Sequence, residues 1–218
     1  RESLLVNVLK DNPKYDATWM SWQYKWLDPS WPHNYGRERF TVYADGNNIK
    51  TSTEQAEMDG SKGSGTWELF KSVNGPNELM TEPYWYTEYG FEEDASQQIL
   101  GVSSVVRIEV DGQFVGIIGA DMTVDDFKSI SEVDFYESAF AFLVSNGGII
   151  ISHKNDSLYN QKMDTLSIVR NSEEDILQIV KSSKSHSFTS YDDVLGEEVY
   201  VSIAPISVGH SGLPWSVG

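Results

Sequence analysis

The sequence predicts an α+β fold with antiparallel sheets, and three observations lead there. A glycine turn flanked by apolar, β-branched runs occurs twice, in "IEVDGQFVGIIG" (108–119) and in "FLVSNGGIIISH" (142–153). In both halves the hairpins follow stretches of helical periodicity, the layout of a sheet covered on one face. At 218 residues the chain suits two modest cores better than one large one.

Taken in order, Leu4, Leu5, Val8 and Leu9 fall at helical spacing, and Asn12-Pro13 stops that helix, which is read as residues 1–11. "YDATWMSWQYKW" is aromatic and β-branched and predicts a strand ended by Asp28-Pro29. "RFTVYADGNNI" reads as strand, Asp45-Gly46 turn and return. Helical periodicity resumes from Trp67 to Val73 and stops at Asn74-Gly75-Pro76. "MTEPYWYTEYG" is a short aromatic strand, and the Asp111-Gly112 hairpin follows. A helix is expected to begin at Thr123, with Asp125 and Asp126 suited to its positive end. Beyond a boundary at 128–138 come the Asn146-Gly147 hairpin, a helix in "SEEDILQIVKSS", and a last hairpin around Asp192 to Gly196.

Composition removes several classes of function. A net charge of −17 repels nucleic acid and anionic lipid. Without cysteine there is no disulfide, thiolate nucleophile or Cys-based zinc site. No apolar run approaches the roughly 20 residues that span a bilayer. The chain opens at Arg1 and closes in "PWSVG", and it reads as a piece of a longer protein. Four scattered histidines lack zinc-ligand spacing, and "GSKGSG" at 60–65 lacks the Lys-Ser/Thr ending of a phosphate loop, so no cofactor is expected.

Asp121 ends the apolar run "VGIIGAD", where a carboxylate at a sheet rim would meet a ligand cation with little water. Capping of the following helix is the plainer alternative. Trp67, Tyr84, Trp85 and Tyr86 could form an aromatic box, or simply pack a core, and strand alternation sets Tyr84 and Tyr86 opposite Trp85. Asp121, Asp125 and Asp126 offer oxygens to Ca²⁺ or Mg²⁺, though helix capping accounts for two of them. Asp121 with Glu68 or Glu82 could serve as the acid/base pair of a hydrolase.

In the order "WELF" (67–70), "MTEPYW" (80–85), "VSSVV" (102–106), "DGQFVGIIGAD" (111–121), "FLVSNGGIIISH" (142–153) and "GLPWSVG" (212–218), the chain resembles the double Cache domain of bacterial and archaeal transmembrane receptors. The resemblance implies two tandem PAS-like lobes on a long N-terminal helix, truncated here: 1–37 as helix end and connecting strand, 38–134 as a membrane-distal ligand-binding lobe, and 135–218 as a membrane-proximal lobe. It implies a periplasmic or extracellular sensing domain of a cytoplasmic-membrane histidine kinase or chemoreceptor, not itself an enzyme. The partner it implies is a small molecule, amine or amino-acid-like, with no nucleic acid and with homodimerisation through the N-terminal helix. The ligand-binding positions it points to are Trp67, Tyr84 and Asp121, then Tyr86, Glu68 and Ser103, with no metal. Amino-acid receptors of this type carry an arginine, an aromatic residue and an aspartate where this chain has Gly65, Glu68 and Tyr86. That departure leans towards a cationic or neutral ligand unless Arg37, Arg39 or Arg107 comes in from elsewhere.

Overall fold

The structure is a computed structural model that describes residues 1–87, 98–132 and 139–218. It divides into two compact units, one of residues 1–81 and 85–123 and one of residues 82–84 and 124–218. The end of the aromatic strand read in "MTEPYWYTEYG" and part of the expected 128–138 boundary fall outside the described residues.

The first unit starts with helix α1 (Glu2–Asp11), whose Leu5 and Leu9 are buried. Strand β1 (Ala17–Gln23) follows, then a single helical turn α2 (Tyr24–Leu27) where the sequence pattern reads as continued strand. The chain turns there because Asp28 accepts hydrogen bonds from the Ser30 amide at 2.9 Å and from its hydroxyl, closing a side-chain turn just before Pro29 could join a strand. Strands β2 (Arg37–Asp45) and β3 (Asn48–Ala56) form the expected hairpin. Helix α3 (Gly65–Lys71) is capped by Ser64, whose hydroxyl accepts the Trp67 amide at 3.3 Å. Strands β4 (Glu78–Met80), β5 (Tyr84–Thr87), β6 (Gln98–Val110) and β7 (Gln113–Thr123) complete the sheet. Its order is β3-β2-β1-β7-β6-β4, with β5 also paired to β6. Residues 17–23, read from the sequence as a strand connecting helix and lobe, form a central strand of the first unit's sheet, flanked by β2 and β7.

Alternation along β1 and β7 divides this sheet into two apolar faces. Met20, Phe40 and Val42 point to α1 and pack with Leu5 and Leu9. Trp19, Val105 and Ile117 point the other way and pack with Trp67 and Phe70 of α3. The β6–β7 turn has Asp111 and Gly112 both at positive φ, 51° and 72°, the conformation an Asp-Gly hairpin favours. Strand β3 is polar and exposed along nearly its whole length, which protects the sheet edge from further pairing.

In the second unit Val124–Ile130 is a 3-10 helix, with Asp125 and Asp126 in its first turn, while Thr123 is the last residue of β7. Strands β8 (Phe142–Val144) and β9 (Ile150–His153) form the Asn146-Gly147 hairpin. Helices α4 (Ser167–Arg170) and α5 (Ile176–Lys181) precede β10 (His186–Asp192), β11 (Glu197–Ile206) and β12 (Trp215–Val217). The sheet order is β10-β11-β12-β8-β9. One core joins Phe142, Val144 and Ile150 to Ile168, Ile176 and Val180 of the helices and Phe188, Val201 and Ile203 of the last hairpin.

Among the described residues no helix is long and apolar enough to cross a membrane. His153 ends β9 as expected and is 9% exposed. Burial pushes its pKa below the ordinary 6.5, opposed by the Asp192 carboxylate. Its Nδ1 accepts the Asn155 amide at 2.9 Å, a bond that needs that nitrogen unprotonated.

Two outcomes are expected. Leu5→Ala should destabilise the first unit by about 2–5 kcal/mol in urea denaturation, and a loss well under 1 kcal/mol would show that α1 does not hold that face. Because His153 is harder to protonate folded than unfolded, its contribution to stability is complete above pH 6.5 and is lost as pH falls below that value. A melting temperature that drops between pH 7.5 and 5.5 in the parent and drops less in His153→Gln would bear this out, and identical slopes would refute it.

Candidate functional site

Asp121 lies two residues from the end of β7, opposite Ala17 of β1 and Ser103 of β6. It is 1% exposed. Its Oδ1 accepts the Trp19 indole N–H at 2.8 Å and the Ser103 hydroxyl at 2.6 Å. Its Oδ2 faces a guanidinium nitrogen of Arg39 at 3.3 Å. The Arg39 guanidinium lies over the Trp19 ring, 4.4 Å from its centroid. One indole therefore holds the acid with its edge and the cation with its face, a charge-assisted arrangement stronger than neutral hydrogen bonds.

The local sequence makes this packing feasible. Gly119 faces Trp19 across the β1–β7 pair, and a Cβ at 119 would run into the indole ring. The glycine lets the ring lie flat on the sheet, which directs its N–H towards Asp121. Next to this cluster the Asp16 amide donates to the Asp121 carbonyl at 2.9 Å, and the Asp16 carboxylate accepts the Tyr86 hydroxyl at 2.8 Å. Asp121, Ser103 and Tyr86 are thus gathered in one region of the first unit.

Trp67 adjoins this cluster through the body of Trp19, and no hydrogen bond joins Glu68 to it among the described residues. Trp67 is 4% exposed and sits edge-on to Phe114, ring centroids 5.2 Å apart, within the α3-facing core. Glu68 accepts the Gly63 amide at 3.2 Å and so steadies the glycine-rich loop before α3. Both line a cavity of about 20 Å³, the room of a single water. Tyr84 is 36% exposed and groups with the second unit. The aromatic residue that does meet the acid is Trp19, which the sequence pattern placed in a strand without singling it out. Alternation along 17–23 was the available signal, since it sets Ala17, Trp19 and Ser21 on one face.

The three arginines separate clearly. Arg37 holds Glu57 through two bonds, at 2.6 and 3.0 Å, and donates to the Ser21 hydroxyl. Arg107 donates to the Phe70 and Ser72 carbonyls at the end of α3 and pairs with Glu109. Arg39 is the one at the acid. The carboxylates weighed as hydrolytic partners of Asp121 are engaged as well, Glu68 with Gly63 and Glu82 with the Ser145 hydroxyl and the Gly147 amide of the second unit. Among the described residues no group of three or more His, Asp or Glu is placed to hold a metal. A separate cavity of about 410 Å³ opens in the second unit, bordered by Gly148, Lys162, Asp164 and Glu174 and by the apolar Met163, Val169, Ile176 and Leu177.

No family model matches the chain. It is 31% identical over 142 residues to the methyl-accepting chemotaxis protein PctB of Pseudomonas aeruginosa, 64% of this chain and 19% of the relative. It is 31% identical over 86 residues to PscA of Pseudomonas syringae pv. tomato, a protein of the same description, covering 39% of this chain and 12% of that one. The chain thus spans less than a fifth of these relatives. Among solved structures, the extracellular domain of mmHK1S-Z3, assigned to the histidine kinases, superposes with a TM-score of 0.73 at 21% identity, covering 99% of this chain and 76% of the other. The periplasmic sensory domain of the Campylobacter jejuni chemoreceptor Tlp1 gives 0.70 at 15% identity, covering 99% and 75%. The ligand-binding domain of PctB, in complex with L-Arg, gives 0.60 at 17% identity, covering 100% and 75%.

Ser103→Ala removes one donor from a buried carboxylate and should cost the first unit about 1.5–3 kcal/mol in chemical denaturation. Gly119→Ala should cost at least as much and should also shift the near-ultraviolet circular dichroism of the tryptophans, and an unchanged spectrum would refute the flat placement of Trp19. The two antiparallel sheets and these superpositions agree with the motif order in the sequence: the chain has the fold of the extracytoplasmic sensor domains of histidine kinases and chemoreceptors, the double Cache arrangement.

Proposed function

We propose that this chain is the small-molecule sensing domain of a transmembrane signalling receptor, of chemoreceptor or histidine kinase type, displayed outside the cytoplasmic membrane. Its ligand is held in the first unit at Asp121. The observation that supports this most directly is a carboxylate 1% exposed on a sheet face, steadied by Trp19 and Ser103 and balanced by a side chain of its own unit. A group so costly to bury is retained where recognition needs it.

The ligand carries an ammonium group, as an amine or amino-acid-like metabolite does, because Asp121 presents a charged acceptor in a site poor in water. Structural neighbours point the same way: PctB was solved with L-Arg, PctC of Pseudomonas aeruginosa with GABA, and CtaA of Pseudomonas fluorescens with L-serine. Each of those ligands has an ammonium group. Residues 1–81 and 85–123 then act as the ligand-binding lobe and residues 124–218 as the lobe nearer the membrane. Binding passes a signal if the ligand favours one arrangement of the receptor over another by a few kcal/mol.

A thermal-shift screen of amines, amino acids and other small metabolites tests this. A true ligand at about 100 times its dissociation constant adds roughly 2.7 kcal/mol, a clear rise in melting temperature. Asp121→Ala should abolish that rise while the variant remains folded by circular dichroism. A broad screen without a single stabilising compound would overturn the sensing function, and a compound that is consumed would replace it with an enzyme.

A further inference from the structure

We propose that the cavity of about 410 Å³ in the second unit is a binding site in its own right, one that takes an organic cation with an apolar body. Every residue that borders it belongs to the second unit, whereas Asp121 and its partners belong to the first. Its volume lies within the range of small-molecule pockets, about 300–1,000 Å³.

The floor is apolar and its borders are held by backbone bonds. Gly148 sits in the β8–β9 turn at φ 81°, and its amide donates to the Ser145 carbonyl at 3.0 Å. A side chain at 148 would collide with Leu177 and Met163, so the glycine lets both lie against the turn. The Met163 amide donates to the Gly148 carbonyl at 2.8 Å and the Ile150 amide to the Gln161 carbonyl at 2.8 Å, which fixes 161–163 alongside the hairpin. The other border is the start of α5, capped by the Asp175 carboxylate, which accepts the Gln178 amide at 3.1 Å. Met163 and Ile176 are buried, and Val169 and Leu177 are half-buried. Borders set in this way need little further ordering when a ligand enters.

The rim gives the ligand its sign. Asp164, Glu174 and Asp175 border the cavity together with a single cation, Lys162, in a chain of net charge −17. Asp175 is engaged as the α5 cap, and Glu174 meets the His186 imidazole at 2.8 Å. Asp164 is exposed in the 3-10 turn Met163–Thr165, and no ion pair ties it to another side chain among the described residues. Its carboxylate stands on a short stem beside the buried Met163, whereas the Lys162 amine is on a long, flexible stem that turns readily to water. An ammonium at the rim therefore meets Asp164, with Glu174 in support, while the attached hydrocarbon covers the apolar floor. An anion finds one mobile lysine against three carboxylates. A small cation without a body gains only an exposed ion pair, which is weak in water. The site thus requires both the charge and the hydrocarbon.

Methionine-methyl NMR of the 218-residue chain reads the site through Met163, one of five methionines, with its signal assigned by Met163→Leu. The probes are hexylamine, hexanol, hexanoate and methylamine, which separate head charge from hydrocarbon. Hexylamine should shift the Met163 signal saturably and bind roughly tenfold or more tightly than each of the other three. Asp164→Asn, at an exposed position, should weaken hexylamine by roughly tenfold, and Glu174→Gln by a smaller factor. Lys162→Gln should leave the amine bound as tightly as in the parent or more so. Asp121→Asn should change none of this. An unmoved Met163 signal, hexanoate bound as well as hexylamine, or binding unchanged in both Asp164→Asn and Glu174→Gln would each overturn the site. So would binding lost in Asp121→Asn and kept in Asp164→Asn, a result that puts the amine in the first unit and leaves the proposed sensing function standing. A Met163 response that survives Asp121→Asn supports the second-unit site even where the metabolite screen finds nothing for the first.

Discussion

The first unit is organised around the burial of one carboxylate. An isolated charge removed from water costs several kcal/mol even after the protein relaxes, so Asp121 is tolerated only because three neighbouring strands bring donors to it. Trp19 comes from β1, Ser103 from β6 and Arg39 from β2. All three depend on strand register. A slip of one residue in β7 would turn Asp121 to the α1 side, among Met20, Phe40 and Val42, where no such partners lie within the cluster. The acid therefore acts as a check on the pairing of the sheet.

Trp19 links that polar cluster to the core. Its ring edge holds Asp121, its face carries Arg39, and its body packs with Trp67, Phe70, Val105 and Ile117 beneath α3. A residue with three such duties is hard to move, and it is 5% exposed. Its three contacts tie the acid, the cation and the apolar core to one ring.

The second unit has a core of its own and uses its buried polar groups differently. Ser167 donates to Asp192 at 2.9 Å, and Asp192 also accepts the Val194 amide, which closes the turn of the last hairpin. Glu82 accepts the Gly147 amide in the β8–β9 turn. These acids are held by turn amides and hydroxyls, so they shape loops, whereas Asp121 is held on a sheet face opposite a cation.

Much of the architecture was legible in the chain. Helix α1 and its stop at Asn12-Pro13, the Asp-Gly and Asn-Gly hairpins, and the helices read at 67–73 and in "SEEDILQIVKSS", found at Gly65–Lys71 and Ile176–Lys181, all rest on local pattern, because caps, turns and periodicity act over a few residues. The surroundings of Asp121 were not legible in that way. Trp19 lies 102 residues from it and Arg39 lies 82, and their meeting requires β1 to insert between β2 and β7. Trp67, matched to a pocket by motif, packs in the α3-facing core and borders a small cavity. Local sequence determined which segments become helices and strands and that an acid would end an apolar strand; only the long-range strand order decided which side chains would balance its charge, since that balance depends on distances set by pairing rather than by spacing along the chain.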